Sequence, residues 1–142
     1  MTPPKEITGQ LEDIASDQEF ATRAAELTDS WSSSGAGLET VAPILRFIED
    51  HPTIDFGAPG PLAHFVERFF HQGYEERLVE SINRKPTAHT IWMLNRVING
   101  TKETDAKQML IATMESARLS PQADQNTRQM ADRFLARISE PN

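Results

Sequence analysis

The chain has 142 residues, with 38% hydrophobic and 25% charged side chains, enough for one domain with a core of its own. Zero cysteines exclude disulfides, thiolate zinc sites and cysteine nucleophiles, and no apolar run approaches the ~18 residues of a membrane span. The formal net charge is −7, and all of the excess lies early: residues 1–50 hold ten acids and three bases, whereas residues 51–142 hold eleven of each.

The first residues carry Pro3 and Pro4 and no charged stretch followed by an apolar one. They do not form a signal peptide, so a cytoplasmic location is expected, with residues 1–6 frayed. Ile7, Leu11 and Ile14 then fall at helical spacing. Ser16 and Glu19 have the spacing of a capping box ahead of Phe20, Ala24 and Leu27. One bent helix and two separate helices both fit residues 7–30. "WSSSGAGLE", Trp31 to Glu39, reads as an internal linker. Thr40 is placed to cap the next helix, whose stripe is Val41, Ile44, Leu45 and Ile48. "EDHP" closes it, because the residue before Pro52 is pushed away from helical angles.

"DFGAPGPLAHF", Asp55 to Phe65, contains the Asp-Phe-Gly of protein kinases and a glycine-rich run. The kinase motif needs a preceding catalytic loop, a strand lysine and its own glycine loop, and 54 residues cannot supply them. Gly57-Ala58-Pro59-Gly60 fits neither the dinucleotide fingerprint nor the phosphate loop, and no strand precedes it. No nucleotide, metal or other cofactor is therefore expected. The stretch reads instead as a rigid elbow. Gly57 and Gly60 supply unusual backbone angles, Pro61 opens a helix, and Phe56 and Leu62 pin the corner.

Leu62, Phe65, Val66, Phe69 and Phe70 follow the i, i+3, i+4, i+7, i+8 template of a core-facing helix stopped by Gly73. Leu78, Val79 and Ile82 mark the next helix, over Tyr74 to Arg84. Pro86-Thr87 restarts the chain before Ile91, Leu94, Val97 and Ile98, and Asn99-Gly100 ends that segment. Ala106, Met109, Leu110, Thr113, Met114 and Ala117 form another stripe. Ser120-Pro121 reads as an N-cap and first helical position ahead of Met130, Ala131, Phe134, Leu135 and Ile138. No segment alternates as a strand would. The expectation is an all-α single domain over residues 1–142: six to eight short antiparallel helices, stacked as a HEAT-like array or bundle. Phe65, Val66, Phe69, Leu94 and Ile98 are expected in its core.

Few residues point to chemistry. His64, Glu67 and His71 project to one polar face of their helix, but the two histidines are two turns, roughly 10 Å, apart, too far for one ion. They fit a partner-facing patch better. Trp92 points away from the Ile91/Leu94/Ile98 stripe, beside Asn95, Arg96 and Asn99. That is interface chemistry, or the filling of a second buried side. Serines and threonines are plentiful, but no Gly-x-Ser-x-Gly elbow exists, and the adjacent pairs Glu75/Glu76 and Glu49/Asp50 diverge on a helix and make no shared site, so no enzyme is read here. Arg84-Lys85 is the only basic pair, which argues against nucleic acid as a partner. The acidic first third, with Asp13, Asp17, Glu49 and Asp50, suits a cationic protein partner. Nothing in the sequence sets the oligomeric state.

"PGPLAHFVE" and "PTAHTIWMLNRVING", within Asp55 to Gly100, resemble small helical, HEAT-like bacterial immunity proteins of polymorphic toxin and contact-dependent inhibition systems. The resemblance covers about a third of the chain and carries no catalytic residue. It implies a cytoplasmic protein that binds and blocks one cognate toxin domain. A helical adaptor is the alternative, and an enzyme built from residues distant in sequence comes after it.

Overall fold

A computed structural model describes residues 3–139, and among them the chain is all-α, without a strand. Eight α-helices follow in order: α1 (Pro4–Ile14), α2 (Phe20–Ser33), α3 (Val41–Asp50), α4 (Gly60–Glu67), α5 (Tyr74–Arg84), α6 (Ala88–Gly100), α7 (Thr104–Arg118) and α8 (Gln125–Ser139). A 3-10 turn at Leu38–Thr40 precedes α3. The chain divides into two compact units, Met1–Arg77 and Leu78–Asn142, and the division falls within α5. No described helix is long and apolar enough to cross a membrane.

In the first unit α1 packs on α2 and α3, and α2 on α4. Residues 7–30 form two helices: the chain turns over residues 15–19. The Ser16/Glu19 capping box does not form. Asp17 takes its place, its Oδ1 accepting from the Glu19 amide at 2.7 Å. The expected fraying also fails for residues 3–6, because Pro4 sits at the first helical position, where its missing N–H costs nothing. Residues 1 and 2 lie outside the described residues.

The expected linker over 31–39 is shorter than its composition implies. α2 runs on to Ser33, and Trp31 is buried. Its indole Nε1 donates to Gln10 Oε1 at 2.7 Å, and its ring meets Phe65 edge-on at 5.6 Å. Burial of a large ring with its one donor satisfied outweighs the linker-like serines that follow. Thr40 does not cap α3: its backbone is already helical, and its hydroxyl donates back to the Gly37 carbonyl at 2.8 Å.

α3 is the most enclosed helix of this unit, burying Val41, Pro43, Ile44, Leu45, Phe47 and Ile48. Phe47 stacks on Phe20 at 5.9 Å, and Phe56 meets both edge-on at 5.6 and 6.1 Å. Phe56 thus anchors the Asp55–Gly60 corner as expected. Gly57 and Gly60 have φ of 99° and 84°, and a side chain at Gly57 would place its Cβ 2.6 Å from the Gly60 Cα. Asp55 Oδ1 accepts from the Gly57 amide at 3.0 Å, and Leu62 is fully buried beyond the turn.

α4 departs from its sequence pattern. It ends at Glu67, not Gly73, so Phe69 and Phe70 leave the helix and are only half-buried. Phe65 and Val66 are core as expected; Phe69 is not. The chain tightens into i→i−3 hydrogen bonds, Phe69 N–H to Val66 O at 3.0 Å and Phe70 N–H to Glu67 O at 3.1 Å. It reverses through His71 (φ 67°) and Gly73 (φ 119°). The φ of 119° at Gly73 favours glycine, and a Cβ there would also press on the ends of the Arg77 and Leu38 side chains, at 2.8 and 3.1 Å.

In the second unit α6, α7 and α8 pack on one another. Thr87 and Thr90 make a reciprocal capping box at the start of α6, with both amide-to-hydroxyl bonds at 3.1 Å. Ile91, Met93, Leu94, Val97 and Ile98 are buried behind it. α8 starts four residues later than Ser120-Pro121 suggests. Ser120 accepts from the Gln122 amide in a local turn, and Asp124 caps the helix through the Thr127 amide at 2.8 Å. The apolar stripe of α8 is not a closed core: Ala131 is buried, but Met130, Phe134, Leu135 and Ile138 are half-exposed.

Candidate protein-binding surfaces

The acids of the first unit gather by folding, not by sequence alone. His51 ends α3, and its Nε2 lies 2.7 Å from Glu12 Oε1, tying that end to the last turn of α1. Asp13 and Asp50, neighbours of the two bridging residues, are both exposed. The α1–α2 turn adds Asp17 and Glu19. With Ser16, Phe20, Ile54, Asp55 and Gly57 among its walls, this turn borders an open hollow of about 400 Å³. Sequence reasoning does not single out Asp55 or Glu12. Asp55 reads as a corner residue only, and nothing in the spacing of residues 12 and 51 shows that they meet.

Asp17 is less available than a bare surface acid. One oxygen holds the Glu19 amide and the other lies 3.6 Å from Arg23 Nε. Arg23 also meets Glu26 Oε1 at 2.8 Å and Glu19 Oε2 at 3.6 Å. The hydrogen bond and charge of Glu26, then the charges of Asp17 and Glu19, push its guanidinium pKa upward. One base therefore serves three carboxylates, and the surface stays acidic. Glu49 corrects the sequence reading: it is 3% exposed and cannot offer its carboxylate to a partner. The exposed residues of α3 are Ala42, Arg46 and Asp50, so Glu49 lies at the edge of the solvent side with its own side chain covered.

His64, Glu67 and His71 do not share a helix face. His64 is exposed on α4, with Nδ1 3.8 Å from Glu67 Oε1. His71 lies beyond the helix in the reversing turn, its side chain 73% exposed. Its backbone N–H donates to both oxygens of Glu75, at 2.9 and 3.0 Å, and its Nδ1 lies 3.5 Å from one of them. The helical projection fails because the helix stops four residues before His71. Among the described residues no group of three or more His, Asp and Glu side chains is placed to hold a metal ion.

Trp92 is half-buried on α6, between its two readings. The His89 ring stacks on it at 6.1 Å with 25° between planes, and the Arg96 guanidinium sits 5.5 Å from its ring centre. These three planar groups stand at i, i+3 and i+7, one column on the helix. Asn95 is half-buried and Asn99 exposed.

No family model, curated protein or solved structure matches this chain.

Proposed function

We propose that this chain is a non-catalytic, protein-binding immunity protein, which acts in the cytoplasm by engaging and neutralising one cognate toxin domain. The observation that carries this reading is the exposed carboxylate surface of the first unit. That unit holds fourteen acids and five bases, net −9, while the second holds seven acids and nine bases, net +2. Toxins that attack nucleic acid are themselves cationic, because they must approach phosphate. An acidic inhibitor attracts such a partner over a Debye length and raises the association rate. Glu12, Asp13, Asp17, Asp50 and Asp55 would supply that field, with His64, Trp92, Asn95 and Asn99 as further contact candidates.

A helical adaptor is the second reading, favoured by the opposite charge of the two units, which suits two different partners. Co-expression with the toxin domain separates the two. Rescue of growth together with a one-to-one co-purified complex supports immunity. A complex without rescue supports the adaptor.

A further inference from the structure

We infer that Met109 is a reversible oxidation site, at which this chain takes one oxygen atom from a hydroperoxide without losing its fold. The chain has five methionines and no cysteine, so every oxidisable sulfur in it is a thioether. Folding sorts the described ones by access. Met93 on α6 and Met114 on α7 are 0% exposed, Met130 on α8 is half-exposed, and Met109 is 73% exposed. Met109 and Met114 stand five residues apart on one helix, which turns them about 140° from each other around its axis. Leu110, Met114 and Ala117 take the covered side of α7. Met109 lies on the open side with Asp105, Gln108 and Ala112, all exposed. Its place there does not depend on a frayed end: it is well inside α7, and the Thr113 hydroxyl donates to its carbonyl at 3.1 Å.

The chemistry is a two-electron transfer. A lone pair of the Met109 sulfur attacks one oxygen of hydrogen peroxide. The S–O bond forms as the O–O bond breaks, and the transferred oxygen gives up its proton to the departing oxygen, which leaves as water. Sulfur is oxidised and the peroxide reduced, each by two electrons. At Met109 the new S–O dipole sits in water and stays solvated. At Met93 or Met114 the same dipole would enter the core without a hydrogen-bond donor, which destabilises the fold. The modification therefore exchanges an apolar side chain for a polar one on the open side of α7 and leaves the packing behind it intact. An exposed sulfoxide is also open to methionine sulfoxide reductases, which reverse the step.

The test is limited treatment of the full chain with hydrogen peroxide, each sulfoxide being located by tandem mass spectrometry of its peptide. A gain of about 16 Da should appear at Met109 first, at least about tenfold faster than at Met93 and Met114 and severalfold faster than at Met130. In concentrated urea the rates should converge, because the fold no longer sorts the sulfurs. Protein carrying one oxygen at Met109 should keep the circular dichroism spectrum and melting temperature of the untreated chain. A pair of reductases, one for each sulfoxide epimer, should restore its mass. Met109→Leu should lose the fast uptake and leave the rates at Met93, Met114 and Met130 unchanged. Equal rates at Met109 and Met114 in the folded chain would overturn the inference, as would a faster reaction at Met130. So would a melting temperature lowered by the single oxygen at Met109, or a sulfoxide there that both reductases leave in place.

Discussion

α3 and α8 look alike as patterns and differ as structures. Both show apolar residues at helical spacing, yet seven of the ten residues of α3 are buried and only two of the fifteen of α8. The difference lies in what stands between the stripe positions. α3 has Pro43 and Phe47 beside Ile44, Leu45 and Ile48, so apolar atoms surround most of its circumference. α8 interposes Arg128, Asp132, Arg133 and Arg137, which confine its apolar side chains to a narrow strip with polar flanks. A stripe states which side of a helix can be covered. The width of the apolar arc tells how much of it is.

The sharpest test of that contrast is a pair of truncations. Phe47→Ala removes a ring that is almost fully buried and stacked among Phe20 and Phe56, and should cost about 3–5 kcal/mol. Phe134→Ala removes a half-exposed ring from α8 and should cost about 1 kcal/mol. Urea midpoints for the two variants decide the matter. Equal losses would show that α8 is covered in solution as fully as α3.

A second pair probes the turn that ends α4. Gly73→Ala combines a φ of 119° with a close approach to Arg77 and Leu38, and should cost about 1–3 kcal/mol. His71→Gly should do the opposite. It relieves a side-chain-bearing residue at φ 67°, worth about 1 kcal/mol, and sacrifices only an exposed ion pair. The backbone bonds to Glu75 remain. A higher melting temperature for His71→Gly and a lower one for Gly73→Ala are expected, and the reverse order would refute the strain argument.

Steering separates the two units kinetically. Asp13→Lys with Asp50→Lys should slow association with a cationic toxin domain severalfold at low salt, and by less at high salt. Glu103→Lys, Asp105→Lys and Glu115→Lys together, on the second unit with its net charge of +2, should do less. Stopped-flow association at two salt concentrations reads this directly. Association that ignores both salt and the first pair of reversals removes electrostatic steering from the proposed function.

Much of this fold is legible in the amino-acid sequence. The corner at Gly57 and Gly60, the cores of α3 and α6, and the all-α class follow from local residue chemistry. What escapes a sequence reading is decided by contacts between residues far apart. Trp31 looks like linker until Gln10 and Phe65 arrive around it. Phe69 looks like core because its spacing is right, but the helix carrying it stops at Glu67. The binding candidates divide for the same reason. Asp13 and Asp50 are exposed, each next in sequence to a residue of the Glu12–His51 bridge. Glu49, one residue from Asp50, is turned inward by the helix.

The smallest expected effect separates two ways of starting a helix in the second unit. α6 is capped by neutral hydroxyls, Thr87 and Thr90, whereas α8 is capped by the Asp124 carboxylate. The hydrogen bond from the Thr127 amide holds the Asp124 pKa below its ordinary value of 3.8. A carboxylate whose pKa is lower folded than unfolded adds stability above the unfolded value and loses it as the pH falls through the folded one. The first turn of α8 should therefore loosen on acidification below about pH 4, while the start of α6 should not. Asp124→Asn keeps an acceptor oxygen without a titrating charge, so the Thr127 amide shift should lose its acid-dependent step in that variant. The Thr90 amide should show no such step in either protein. An NMR titration of both amides settles the point: a step at Thr90, or one at Thr127 that survives Asp124→Asn, would place the acid-sensitive group elsewhere.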